Sequence, residues 1–96
     1  MTTDEIYKEL FNELIKSKVK LYGNLALCKI DKINNLEADR DGNVISIYGD
    51  PDIILSELMS KFEEIDGRLT TVISKNLING IANKYPEFKL PEEFRL

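Results

Sequence analysis

Alternating apolar residues around two turn dipeptides predict two β-hairpins. Gly23-Asn24 lies between KVKLY and LALCKI, and Asp41-Gly42 lies between LEADR and NVISIY. Both dipeptides suit a two-residue turn that needs positive φ, and folding each pair of runs together puts their apolar residues on a shared face. The pattern therefore predicts a four-stranded antiparallel meander made of two consecutive hairpins.

The predicted register gives this sheet two unequal faces. The core face would hold apolar residues, namely Val19, Leu21, Ala26, Cys28, Ile30, Leu36, Ala38, Ile45 and Ile47. The outer face would hold a mixed set, namely Lys18, Lys20, Tyr22, Leu25, Leu27, Lys29, Glu37, Asp39, Val44, Ser46 and Tyr48. An alternative interpretation makes residues 24–37 a helix, because Ala26, Ile30 and Ile33 also recur at helical spacing.

Three amphipathic segments flank the predicted sheet. Thr2 and Glu5 form a capping-box pattern, and the apolar residues that follow cover more of a helix than one sheet contact needs. Asp50 before Pro51 marks a second helix start, and Gly67 is a typical helix stop. A third stretch, residues 69–85, continues to Pro86, although its β-branched first turn is also compatible with a strand. The chain is therefore expected to be an α+β domain with one N-terminal and two C-terminal helices.

The last segment, residues 85–96, is predicted to be an extended apolar arm. Its two prolines, Pro86 and Pro91, disfavour a continuous helix. Four large apolar side chains are expected to dock on a groove of the same subunit or of its partner: Phe88, Leu90, Phe94 and Leu96.

Composition narrows the class of protein. A chain of 96 residues with 43% hydrophobic and 31% charged residues fits a single globular domain spanning residues 1–96. No apolar run is long enough for a membrane span, and the opening residues do not form a signal peptide, so we expect a cytoplasmic protein without a membrane partner. The single cysteine permits no internal disulfide, and histidine is absent.

Candidate chemical sites in the sequence are weak. Residues 37–43 resemble the first half of a calcium loop, but Ile45 and Tyr48 stand where oxygen ligands are needed. Cys28 has no histidine partner and is expected to be buried. We therefore expect no enzyme, no metal site and no cofactor.

The surplus apolar surface predicts a protein interface. If all helices pack on one side of the sheet, its outer face stays exposed, and such patches are typical of interfaces. The predicted interaction residues combine this face with the arm: Tyr22, Leu25, Leu27, Val44, Tyr48, Phe88, Leu90, Phe94 and Leu96. The preferred function is a non-enzymatic interaction or regulatory module that self-associates as a homodimer or binds another protein. In the alternative, one helix crosses the sheet and covers the patch within the monomer.

A second function uses the lysines of the first hairpin. Three cations and one aromatic ring would share a face suited to single-stranded nucleic acid, namely Lys18, Lys20, Tyr22 and Lys29. The net charge of −4 opposes phosphate binding, so nucleic acid is the less favoured partner.

Overall fold

The computed structural model of the chain describes residues 2–88. It is a small α+β domain in which helices predominate over a two-stranded antiparallel sheet. Within the described residues the elements follow in this order: α1 (Thr3–Tyr22), α2 (Asn24–Ile30), β1 (Leu36–Ala38), β2 (Val44–Ile47), α3 (Pro51–Asp66) and α4 (Arg68–Lys84).

The predicted four-stranded meander is wrong, because the first predicted hairpin is helical. α1 runs on to Tyr22, and α2 begins directly after Gly23. Gly23 has φ 58° and ψ −129°, a conformation that residues with a Cβ rarely adopt, so it forms a sharp corner between two helices. The alternative helix over residues 24–37 is correct for its first half, since α2 ends at Ile30.

The second predicted hairpin is confirmed, with a changed register near its turn. Leu36 pairs with Ile47 and Glu37 with Ser46, but Ala38 then pairs with Val44, so one residue of β2 is bulged. Two residues change sides as a result: Val44 is buried, and Ile45 is half exposed. The prediction that Ile45 faces the core and Val44 faces outward is therefore wrong.

Contacts with α1 explain this bulge. The Val44 backbone N–H donates to Asn12 Oδ1 at 2.6 Å, which draws the start of β2 onto α1. Gly42 lies so close to the same helix that an added Cβ would stand 3.2 Å from Ile15 Cγ2. The register is thus set by packing against a distant helix, which a two-residue turn rule does not include.

The predicted starts of α1 and α3 and the predicted stop of α3 are confirmed. Thr2 and Glu5 form the capping box of α1, and the Asp50 carboxylate accepts from the Asp52 N–H at the start of α3. Gly67 ends α3 with the same φ and ψ as Gly23. The first turn of α4 is helical, so the alternative strand there is wrong.

Side-chain contacts fix the relative directions of the three long helices. Tyr7 meets Asp52 where α1 and α3 begin, and Lys18 meets Asp66 where they end, so α1 and α3 run in the same general direction. Lys84 at the end of α4 pairs with Glu9 near the start of α1, so α4 runs the opposite way. One continuous core lies between these helices and the hairpin; its largest fully buried apolar side chains are Ile6, Leu10, Phe11, Leu14, Ile15, Ile30, Ile54, Leu55, Leu58, Phe62 and Ile78.

Candidate functional site

A buried polar cluster joins the two glycine corners. Lys18 Nζ lies 2.6 Å from Asp66 Oδ2 and donates to the Thr70 hydroxyl at 3.2 Å. Tyr22 donates its phenol proton to the same Asp66 oxygen at 2.9 Å, and Thr70 donates to the other. The Lys18 ammonium also lies 5.8 Å from the centre of the Phe62 ring, within cation–π range. A lysine on the apolar stripe of α1 is thereby supplied with partners from α3 and α4.

The protonation states of this cluster follow from its contacts. Burial alone would raise the pKa of Asp66, but hydrogen bonds from Lys18, Thr70 and Tyr22 outweigh it and lower that pKa. The hydrogen bond to Asp66 raises the pKa of Tyr22. At neutral pH the cluster therefore holds an ionised carboxylate and a neutral phenol. This arrangement fixes three helices relative to one another, because buried charges are stable only while paired.

A cleft of about 370 Å³ opens where α1 and α3 begin. Tyr7 forms part of its wall and donates its phenol proton to Asp52. Burial, followed by this hydrogen bond, raises the pKa of Tyr7 above its ordinary value. Phe88 closes the wall by packing edge-on against the Tyr7 ring, with centroids 4.8 Å apart. The beginning of the arm therefore docks within its own subunit.

A second cleft, of about 420 Å³, lies between α2 and the hairpin tip. Leu27 and Ala38 contribute apolar wall, and Asp31 and Arg40 contribute charge. Cys28 also lines this cleft and is exposed, so the prediction of a buried Cys28 is wrong. The physical reason is the change from strand to helix, which moves Cys28 off the face shared by Ala26 and Ile30.

At the acidic hairpin tip, the Asp39 carboxylate accepts hydrogen bonds from the backbone of the same loop. Asp39 Oδ1 accepts from the N–H groups of Asp41 and Asn43, both at 2.9 Å. Hydrogen bonds from Asn43 lower the pKa of Asp39. Within residues 2–88, no group of three or more histidine, cysteine or acidic side chains is placed to hold a metal ion.

The predicted interaction residues do not form one face. Tyr22 is half-buried in the polar cluster, Val44 and Phe88 are buried, and Leu27 lines the second cleft. Leu25 and Tyr48 are half exposed, on α2 and just after β2 respectively. Leu90, Phe94 and Leu96 lie outside the described residues. The outer sheet face that united this set is absent from residues 2–88, because the residues assigned to its first hairpin belong to α1 and α2.

The predicted nucleic-acid patch is also dispersed. Lys18 is fully buried and paired with Asp66, and Lys29 lies 3.4 Å from Glu64 Oε1. Lys20 is exposed near the end of α1, while the Tyr22 hydroxyl is bound to Asp66. The predicted lysine strand is wrong, because its residues lie on two helices, α1 and α2. The ammonium of Lys18 is buried and paired, so it cannot contact a phosphate.

Sequence reasoning missed the outer face of α4, which we name the α4 face. Its residues are spaced three and four apart and are half-buried or exposed: Leu69, Val72, Asn76, Asn79 and Asn83. The outer face of a surface helix usually carries charged and polar residues; this one carries no charge and begins with two exposed apolar side chains, of which Val72 is 61% exposed. The sequence pattern counts Leu69 and Val72 within the apolar stripe of this stretch, whereas the structure leaves both exposed.

Comparison with protein-family models, curated proteins and solved structures finds no significant match for this chain. Among the helices of residues 2–88, none combines the length and the apolar character that crossing a membrane requires.

Proposed function

We propose that the protein is a non-enzymatic protein-interaction module that self-associates, in its simplest form as a homodimer. The observation that carries this proposal is the set of large apolar side chains that stay about half exposed outside the buried core. Within the described residues these are Leu21, Leu25, Ile45, Tyr48, Ile53, Leu69 and Val72. Burying this apolar surface against a partner would stabilise the complex by about 25 cal/mol for each Å² removed from water.

The distribution of these side chains supports an interface. Leu21 and Leu25 flank the Gly23 corner, and Leu69 and Val72 follow the Gly67 corner. The hydrogen bond from Tyr22 to Asp66 brings both corners to the same end of the molecule. Several exposed apolar side chains are thereby concentrated at one end, which is typical of binding surfaces.

The buried cluster adds rigidity to this end. Because Lys18, Asp66 and Thr70 lock α1 to α3 and α4, the corners need little ordering when a partner binds. A preorganised surface loses less conformational entropy on association than a mobile one. The cluster is therefore a positioning device for the proposed interface.

Light scattering coupled to size-exclusion chromatography tests self-association. The proposal predicts a mass that rises with loading concentration above the 11.0 kDa of one chain. A gel-shift titration with single-stranded oligonucleotides at several salt concentrations is the companion measurement. A constant monomer mass together with salt-sensitive oligonucleotide binding would contradict the proposal and favour the nucleic-acid alternative.

A further inference from the structure

The α4 face has the residue spacing along which a second helix can pack. Leu69 and Val72 begin it, and three asparagines continue it at the same three- and four-residue spacing. Helices that pack along one another meet through residues at this spacing, and an asparagine on such a stripe can specify the register of the pair. Gly80 lies beside the stripe, and an added Cβ at this position would meet no atom of the described residues within 4 Å.

The charges around the α4 face have one sign. α4 contains the cations Arg68, Lys75 and Lys84 and no acidic residue. Lys84 is paired with Glu9 of the same subunit. Arg68 and Lys75 form no ion pair with any of residues 2–88. The helix therefore presents an uncharged stripe with two cations free to meet an acidic partner.

The neighbouring helix, α3, carries the opposite charge. It contains five acidic residues and one lysine. Ile53 and Ser60 are exposed on its outer side. Glu64 is held by Lys29 and Lys61, whereas Glu57 and Glu63 form no ion pair with any of residues 2–88. The outer face of α3 is thus the chemical complement of the α4 face.

We propose that a second copy of this chain docks on the combined outer surface of α3 and α4, with each α4 lying against the α3 of the partner. This inference rests on the proposed function and names its interface. A two-fold axis makes each contact occur twice, so both cationic helices meet acidic helices in one closed dimer. α3 and α4 have 16 and 17 residues, and such helices are each about 25 Å long, enough for a four-helix contact.

Charge selects this arrangement over the direct pairing of like helices. Packing α4 against the α4 of a second copy would bring Arg68 and Lys75 toward the same two cations. Packing α3 against the α3 of a second copy would bring Glu57 and Glu63 toward the same two acidic residues of that copy. Like charges across an interface disfavour association, so the crossed pairing is the favoured one.

The first test compares two leucines of equal exposure by sedimentation velocity on the full chain. Leu69 on the α4 face is 49% exposed, and Leu25 on α2 is 50% exposed. We expect Leu69→Glu to raise the dimer dissociation constant by about tenfold or more, because it buries a charge at the interface. Leu25→Glu should leave the dissociation constant within about twofold of the wild-type value, because the crossed interface takes in Leu69 and Val72 from the corner end of the molecule and leaves α2 outside.

The second test uses charge reversal with rescue. One variant carries Arg68→Glu and Lys75→Glu, and the other carries Glu57→Lys and Glu63→Lys. Each variant alone opposes like charges and should dissociate, whereas an equimolar mixture restores both complementary contacts and should form a heterodimer. Circular dichroism of each variant shows whether a loss of mass reflects unfolding, and rescue in the mixture excludes that explanation.

The outcomes separate the two proposals. Dissociation by Leu69→Glu with heterodimer rescue supports the crossed interface. A dimer that Leu25→Glu disrupts and Leu69→Glu does not would overturn this interface while keeping self-association. A wild-type chain that stays monomeric at all concentrations would overturn both the interface and the self-association part of the proposed function.

Discussion

Tyr22 and Asp66, the residues that immediately precede the two glycine corners, are joined by a hydrogen bond of 2.9 Å. Gly23 and Gly67 share φ 58° and ψ −129°, so the chain turns in the same way at both places. Asp66 also accepts from Lys18 and Thr70, which ties α4 to the same point. The corners, and the exposed apolar residues beside them, are therefore held by one buried carboxylate.

Two ion pairs with equal N–O distances should differ widely in what each contributes to the free energy of unfolding. Lys18–Asp66 and Lys84–Glu9 both measure 2.6 Å, but the side chains are 1% and 6% exposed in the first pair and 58% and 28% exposed in the second. Lys18→Met should cost about 3–5 kcal/mol, because it leaves a buried carboxylate without its cation. Lys84→Met should cost less than about 1 kcal/mol. Urea unfolding of both variants measures the difference, and equal costs would contradict a structural role for the buried cluster.

The same cluster predicts a loss of stability in acid. The pKa of Asp66 in the folded protein lies below its ordinary value of 3.8, so its stabilising contribution is complete above that value and disappears as the pH falls through the lowered pKa. The free energy of unfolding should therefore decrease in this acidic range. The double variant Lys18→Met with Asp66→Asn should show a shallower decrease over the same range. An identical pH dependence in both proteins would mean that Asp66 is not linked to folding.

Gly67 and Gly80 should respond in opposite ways to alanine. At neither position would an added Cβ meet an atom of residues 2–88 within 4 Å, so the backbone conformation distinguishes them. Gly67→Ala forces a side chain into a positive-φ conformation and should cost about 1–3 kcal/mol. Gly80→Ala, inside α4, should stabilise the fold by about 0.5–1 kcal/mol through helix propensity. Thermal unfolding should thus lower one melting temperature and raise the other; a shift of the same sign in both would rule out the corner geometry.

Phe88 should contribute to the stability of the fold without affecting the oligomeric mass. It is buried and packs on Tyr7 of its own chain. Phe88→Ala should therefore cost up to about 3 kcal/mol, while Tyr48→Ala, at a half-exposed aromatic residue, should cost much less. Truncation after Tyr85 also removes the Phe88 contact with Tyr7, so it should lower the melting temperature. The oligomeric mass should stay unchanged. A reduced mass would instead show that the arm joins two subunits.

Local signals allowed much of the helical framework to be predicted. The capping box at Thr2 and the Asp50-Pro51 start depend on residues within one helical turn, so sequence alone contains them. The Leu36 and Glu37 pairings were likewise predictable from the Asp41-Gly42 turn. Each of these features is decided by neighbours along the chain.

The errors arose where distant residues decide the structure. The register of the first predicted hairpin puts Lys18 on the outer face, but its partner Asp66, 48 positions away, holds it in the core. The two-residue turn register puts Val44 outward, but its N–H donates to Asn12 of α1, 32 positions away, which draws it inward. Between residues 18 and 30 the apolar positions satisfy both the strand and the helix period, and tertiary packing selects the helix.

Intermolecular paramagnetic relaxation enhancement, measured by NMR, reports directly on whether two copies associate through α3 and α4. A spin label would be attached to Asn76→Cys on the α4 face in a Cys28→Ser background. This chain, at natural isotope abundance, would be mixed with ¹⁵N-labelled wild-type chain. Cys28 is exposed, so the same label on the natural cysteine is the control. The proposed dimer predicts that the label at position 76 broadens amide signals of α3 in the other copy, whereas the label at Cys28 does not. Broadening that is absent, or confined to α2 and the hairpin, would contradict self-association through α3 and α4.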